Sequence, residues 1–169
     1  MRGDKDRLPI AQWILERNLA WVAAAEVKVA VIVTIDMALL GSIGGTYSAA
    51  GAATRTACAD LFWTIFAAIL VAAGIFCAAM AVLPRLKGPA ESLVFFGCIG
   101  SLTRSDYLTR FKNASELQLL EDWTAQIHRN AQIACRKFCW VRRSMWLSFF
   151  SVIPWVVAIH MLSIGRGVG

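Results

Sequence analysis

The chain has 169 residues, 58% of them hydrophobic, and a formal net charge of +6. Its mean hydropathy of +0.59 sits above the range of water-soluble domains, which hold about 45–50% apolar residues. The charges are sorted into blocks. Between Val29 and Leu83 the ionisable carboxylate and basic side chains are Asp36, Arg55 and Asp60 alone, and 145–164 holds only His160. Pro84 to Ser144, by contrast, carries ten Lys or Arg and five Asp or Glu. An interleaved amphipathic core is thereby excluded, and membrane spans are indicated. Five cysteines, an odd number scattered at 58, 77, 98, 135 and 139, argue against a disulfide framework.

The first 28 residues hold five basic and four acidic side chains, too many for a signal peptide, so the apolar run from Val29 is expected to be retained as a span. Residues 10–28 read as a helix with Trp13, Ile14, Arg17, Trp21 and Ala24 grouped toward one side. It is expected to lie on the membrane surface or to pack against a helix at 115–144. A bilayer core about 30 Å thick needs about 20 apolar residues in a helix. Three stretches meet this: 29–51, 61–83 and 145–164. Pro84, Arg85 and Lys87 stop the second, and the third contains Pro154, which spans tolerate when neighbours satisfy the freed carbonyl.

Between the second and third spans, Ser92 to Gly100 is apolar but too short to cross a membrane, and reads as a strand or extended segment. Thr103 with Asp106 caps a short helix through Phe111. Ser115 with Gln118 forms a capping box that opens a long helix, expected to run directly into the third span. Leu120, Trp123, Ile127, Ala131, Ala134, Phe138 and Val141 recur at spacings of three and four, the signature of one apolar face. Glu121, Gln126, His128, Arg129, Asn130, Arg136, Lys137, Arg142 and Arg143 fall outside it. The fold class is thus an all-α membrane protein, a single domain with three transmembrane helices and a mostly helical cytoplasmic segment between the second and third. Orientation follows from the basic residues: the N-terminus and 84–144 are cytoplasmic, while the 52–60 turn and the C-terminus lie outside.

Several side chains have chemistry to offer. A carboxylate inside a span costs about 2.5–3.5 kcal/mol on insertion scales, so Asp36 either lines a water-accessible seam between subunits or part of a conducting path, or it snorkels or sits protonated near the cytoplasmic interface. Gly41, Gly45, Ala49 and Ala53 recur every fourth residue, the small-residue pattern that lets helix backbones approach within or between chains. Arg104, Arg110, Lys112, Arg129, Arg136 and Lys137 suit either an anionic phosphate or acidic lipid headgroups, worth about 1 kcal/mol per residue. His128, Cys135 and Cys139 are too few for a metal site. No catalytic triad or phosphate-binding loop is visible, so neither enzyme activity nor a bound cofactor is expected.

The run from Asn18 to Lys28, continuing into IDMALLG, resembles the entry to the first span of the Pycsar transmembrane effectors, with Glu26 where an Asp is expected ahead of the Lys. Leu93 to Gly97 followed by Tyr107 is similar to that family's FFG-and-tyrosine segment. Gln126, Ile127, Asn130, Ile133 and Lys137 resemble its helix leading into the last span. The resemblance implies a bacterial antiphage effector, multi-pass in the inner membrane and homo-oligomeric. It would bind cyclic UMP or cyclic CMP made by a cognate pyrimidine cyclase, and no nucleic-acid polymer, then impair the membrane so that the infected cell dies. By motif position it points to Arg104, Tyr107, Arg129, Asn130 and Lys137 for the ligand. Glu26, Lys28, Asp36, Gly41 and Gly45 are then the working residues in and beside the first span. The other reading of the sequence is a membrane anchor or scaffold that recruits a soluble partner through the apolar face around Trp123.

Overall fold

The computed structural model describes residues 7–50, 58–83 and 91–164. They form five helices: α1 (Arg7–Ala49), α2 (Cys58–Val82), α3 (Phe96–Ser101), α4 (Arg104–Asn113) and α5 (Glu116–Ile164). No strand occurs among the described residues. Pro84, Arg85 and Lys87, the 52–57 part of the expected turn with Arg55, and Ala53 lie outside them.

No break in the backbone marks the boundary expected between the N-terminal helix and the first span. α1 runs unbroken for 43 residues, more than twice the about 20 a bilayer needs. Composition changes at Lys28, but no proline or glycine interrupts the backbone between Ile10 and Leu40. Pro9 falls in the first turn, where its missing N–H costs nothing. α5 likewise joins the long polar-flanked helix to the third span in 49 residues.

The local start signals act as their chemistry requires. The Ser115 N–H donates to Gln118 Oε1 at 2.8 Å, and the Gln118 N–H donates to Ser115 Oγ at 3.2 Å. Two otherwise orphaned donors at the start of α5 are thus satisfied reciprocally. Thr103 caps α4 in the same way, its Oγ1 accepting from the Asp106 N–H at 3.2 Å.

The segment expected to be a strand or extended is helical in its second half. Residues 91–95 make a non-helical turn, and Phe96–Ser101 is helical. The cause is capture of the turn's N–H groups by side chains. Ser92 Oγ accepts from Val94 at 3.1 Å and Phe95 at 2.8 Å, and Asp122 Oδ2 accepts from Leu93 at 2.7 Å and Val94 at 3.2 Å. Donors spent on side chains cannot join a sheet ladder.

The described residues divide into two compact units. One draws on 1–25 and 84–136, the other on 26–83 and 137–169. In the first unit α1 buries Ala11, Leu15 and Ala25, while Trp13, Arg17, Trp21 and Ala24 are exposed. The buried face is therefore offset from the side on which Trp13, Arg17, Trp21 and Ala24 group. It does pack on the long helix, as Asn18 Nδ2 donates to the Ile127 carbonyl at 3.3 Å.

In the second unit the buried positions repeat every seven residues. α1 contributes Val29, Asp36, Ile43 and Ala50, the last just past its end. α2 contributes Thr64, Ala67, Val71, Gly74, Ala78 and Ala81, and α5 contributes Lys137, Val141, Ser144, Ser151, Ala158 and Leu162. Spacings of three and four that sum to seven are those of left-handed supercoiled helices. The outward faces carry large apolar side chains: Val31 and Ile35 on α1, Phe62, Ile69 and Phe76 on α2, Phe149 and Ile153 on α5. Many small or polar residues inside, with large apolar ones outside, depart from the pattern of water-soluble bundles and suit lipid. α1, α2 and α5 are each long and apolar enough to cross a membrane.

Candidate functional site

Two places concentrate polar chemistry, one in each unit. In the first, the 91–95 turn is clamped from two helices. Besides the bonds already given, Gln126 Nε2 donates to Ser92 Oγ at 3.3 Å from α5, and Tyr107 Oη donates to the Leu93 carbonyl at 3.1 Å from α4. Beside the turn lies an open cavity of about 600 Å³, bounded by Glu91, by Arg110 and Asn113 at the end of α4, and by Gln118, Glu121 and Asp122 on α5. Asp122 holds the turn with Oδ2 alone. Its Oδ1 is buried with no hydrogen-bond partner among the described residues.

In the second unit, polar groups line the seam where the three long helices meet. Glu26 on α1 pairs with Lys137 on α5, whose side chain is only 8% exposed against 52% for Glu26. Lys28 places its ammonium over the Phe138 ring, 5.7 Å from the centroid. Deeper in, Asp36 is fully buried, at 0% exposure. Ser148 Oγ donates to its Oδ2 at 2.9 Å, while Oδ1 is buried and has no partner among the described residues. Ser144 Oγ donates to the Gly74 carbonyl at 2.8 Å, and Trp155 Nε1 donates to Ser42 Oγ at 2.8 Å. Gly74 is needed for this approach: a Cβ there would stand 2.9 Å from Asp36 Oδ2 and 3.2 Å from Ser148 Oγ.

The residues singled out in the sequence fall into separate groups. Tyr107 supports the cavity-side turn. Arg104 is exposed in the first turn of α4, Asn130 is half-buried on α5, and Arg129 Nη1 donates to Gln132 Oε1 one turn along at 3.3 Å. Lys137 belongs to the second unit and is engaged by Glu26. None of these five lines the cavity, whereas Arg110, one of the six basic residues suited to an anion, does. Asp36 sits inside the chain's own bundle against Ser148. Gly41 and Gly45 are exposed, and a Cβ at either would meet nothing within 4 Å. Sequence reasoning missed Ser92, Asp122 and Ser148. Gln126 and Lys137 were assigned to the outer face of the long helix, yet both are buried. The available signal was their spacing of eleven residues, which returns to the same side of a helix.

The sequence family described as Pycsar effector protein domain matches residues 10–164. The chain belongs to the Pycsar effector family. Within that family, the Pycsar effector protein PtPycTM of Propioniciclava tarda is 28% identical over 112 residues, covering 61% of this chain and 54% of that protein. The chain spans about half the length of this curated relative. No solved structure matches. The Pycsar effector match and the three apolar helices together make this a membrane protein.

Proposed function

We propose that this Pycsar-family chain is an antiphage defence effector that binds a cyclic pyrimidine nucleotide, cyclic UMP or cyclic CMP, and in response impairs the bacterial inner membrane, so that the infected cell dies. The observation that carries this reading is the extent of the family match, 10–164, which takes in both units. The unit built from 91–136 and the N-terminal part of α1 faces the cytoplasm, because the basic residues concentrate there and short basic flanks stay inside. A nucleotide can shift the membrane unit only if it binds two arrangements of the protein with different affinity. α1 and α5 supply the covalent route, since each contributes residues to both units. The open face at Gly41 and Gly45 favours association of copies in the bilayer, because backbones approach closely where no side chain intervenes.

The scaffold reading needs a free apolar face around Trp123. Leu120, Trp123, Ile127 and Ala131 are half-buried and Ala134 is buried, so that face is spent within the chain. The effector reading is tested in bacteria that express the chain with or without a pyrimidine cyclase. Propidium uptake and loss of colony formation are expected only when active cyclase is present. Equal viability with active and inactive cyclase would overturn the reading.

A further inference from the structure

The charged groups around the first unit's cavity do not neutralise one another. Arg110, Glu91, Glu121 and Asp122 border the same space of about 600 Å³, yet among the described residues no ion pair joins Arg110 to any of the three carboxylates. Asp122 is already committed to the turn through two backbone N–H groups. What remains open toward the cavity is one guanidinium, the carboxylates of Glu91 and Glu121, the side-chain amide of Asn113 and the Nε2 donor of Gln118, whose Oε1 already accepts from the Ser115 N–H.

That inventory matches a 3′,5′-cyclic pyrimidine nucleotide group by group. The ligand carries a single negative charge on its phosphate, which suits one guanidinium fork. Its one free ribose hydroxyl is a donor, and an ionised carboxylate only accepts. Its base edge mixes donors and acceptors, as does the Asn113 amide, with the Gln118 Nε2 donor beside it. A molecule of about 20 non-hydrogen atoms fits a cavity of this size, since small-molecule sites run about 300–1,000 Å³.

The carboxylates add a second property. Among the described residues three acidic groups and one basic group border the cavity, so a ligand of higher negative charge is repelled more strongly than one of single charge. A linear nucleoside monophosphate carries about two negative charges near neutral pH, and a triphosphate carries more. Rejection of a competitor by like charge is an efficient route to specificity. Resting cells are rich in linear nucleotides, and a sensor of the cyclic form has to ignore them.

We infer that this cavity is the nucleotide site, with Arg110 holding the cyclic phosphate and Glu91 and Glu121 excluding linear nucleotides of higher charge. The inference rests on the effector reading and goes beyond it by naming the residues and the selectivity.

The test is equilibrium binding to the full chain in detergent micelles, using cyclic UMP, cyclic CMP, UMP and UTP as probes. The wild-type chain is expected to bind at least one cyclic nucleotide and to take UMP and UTP at least about tenfold more weakly. R110A should weaken the cyclic ligand about 10- to 100-fold, the range of a lost charge-assisted hydrogen bond. R17A, which removes an exposed charge of the same unit away from the cavity, should not. The double variant E91Q with E121Q should narrow the gap between cyclic and linear nucleotides. Melting each protein without ligand identifies variants that fail to fold, and R110K then replaces R110A, keeping the charge but losing the fork. Wild-type binding that R110A and R110K leave intact would overturn the site while sparing the effector reading. Unchanged discrimination in the double variant would overturn the exclusion role. A wild-type chain that binds neither cyclic nucleotide would overturn both the site and the effector reading.

Discussion

Gly74→Ala isolates the packing around Asp36. Alanine is the better helix former, by about 0.8–1 kcal/mol, so an open helical position would gain stability. Here the new methyl would stand 2.9 Å from Asp36 Oδ2 and 3.2 Å from Ser148 Oγ, with Leu147 Cβ at 3.7 Å behind. Carboxylate and methyl cannot keep that separation, so α1, α2 or the Asp36 side chain has to shift. Overpacking of this kind costs about 1–3 kcal/mol. Displacing Asp36 also breaks its bond from Ser148, worth up to about 1–2 kcal/mol between membrane helices. Set against the helix gain, the net loss is about 1–4 kcal/mol. The assay is reversible unfolding in micelles, followed by loss of helical circular dichroism. Asp36→Ala in the same chain removes the obstructing oxygen, so the double variant should be more stable than Gly74→Ala alone. Gly74→Ala at or above wild-type stability would refute the close approach of α1 and α2 at this point.

Three further outcomes follow from single contacts. Removing one partner of the Glu26–Lys137 pair should be asymmetric: Glu26→Gln leaves a buried ammonium uncompensated and costs about 3–5 kcal/mol, while Lys137→Met leaves a half-exposed carboxylate that water solvates. Unfolding midpoints in the opposite order would contradict the burial assigned to Lys137. Ser115→Ala removes the capping box of α5 and should lower stability by about 0.5–2 kcal/mol, with Ser115→Asp largely restoring it; backbone amide exchange at 116–119 reads this locally. Tyr107→Phe loses only the bond to the Leu93 carbonyl and should cost about 1 kcal/mol while keeping the ring contact with Phe111. An unchanged melting temperature would show that the 91–95 turn is held without it.

The features legible in the sequence were those encoded within a few residues. The Ser115 and Thr103 caps lie three residues from their partners, and both form with the expected reciprocal or single bonds. The spans were legible because lipid imposes apolar runs of fixed length. Partners far apart in the chain were not: Asp36 finds Ser148 112 residues away, and Glu26 finds Lys137 across 111. A carboxylate in a span signals that something polar faces it, but the sequence carries no mark of which serine does. Ser92 to Gly100 misled for another reason. Its apolar run has no helical period, so its backbone is decided by Asp122 on a distant helix capturing two N–H groups. The long helix misled by its polarity: Gln126 and Lys137 are hydrophilic and yet face inward, because each meets a polar partner, Ser92 for the one and Glu26 for the other.

Under the proposed function, a cyclic pyrimidine nucleotide alone turns this chain into an agent of membrane damage. The most direct measurement is release of a trapped dye from vesicles reconstituted with the purified chain, titrated with cyclic UMP and cyclic CMP and with UMP and UTP as controls. Saturable leakage is expected with at least one cyclic nucleotide, and little with the linear ones. Leakage that is the same with every nucleotide and without any, from protein that binds none of them, would contradict it.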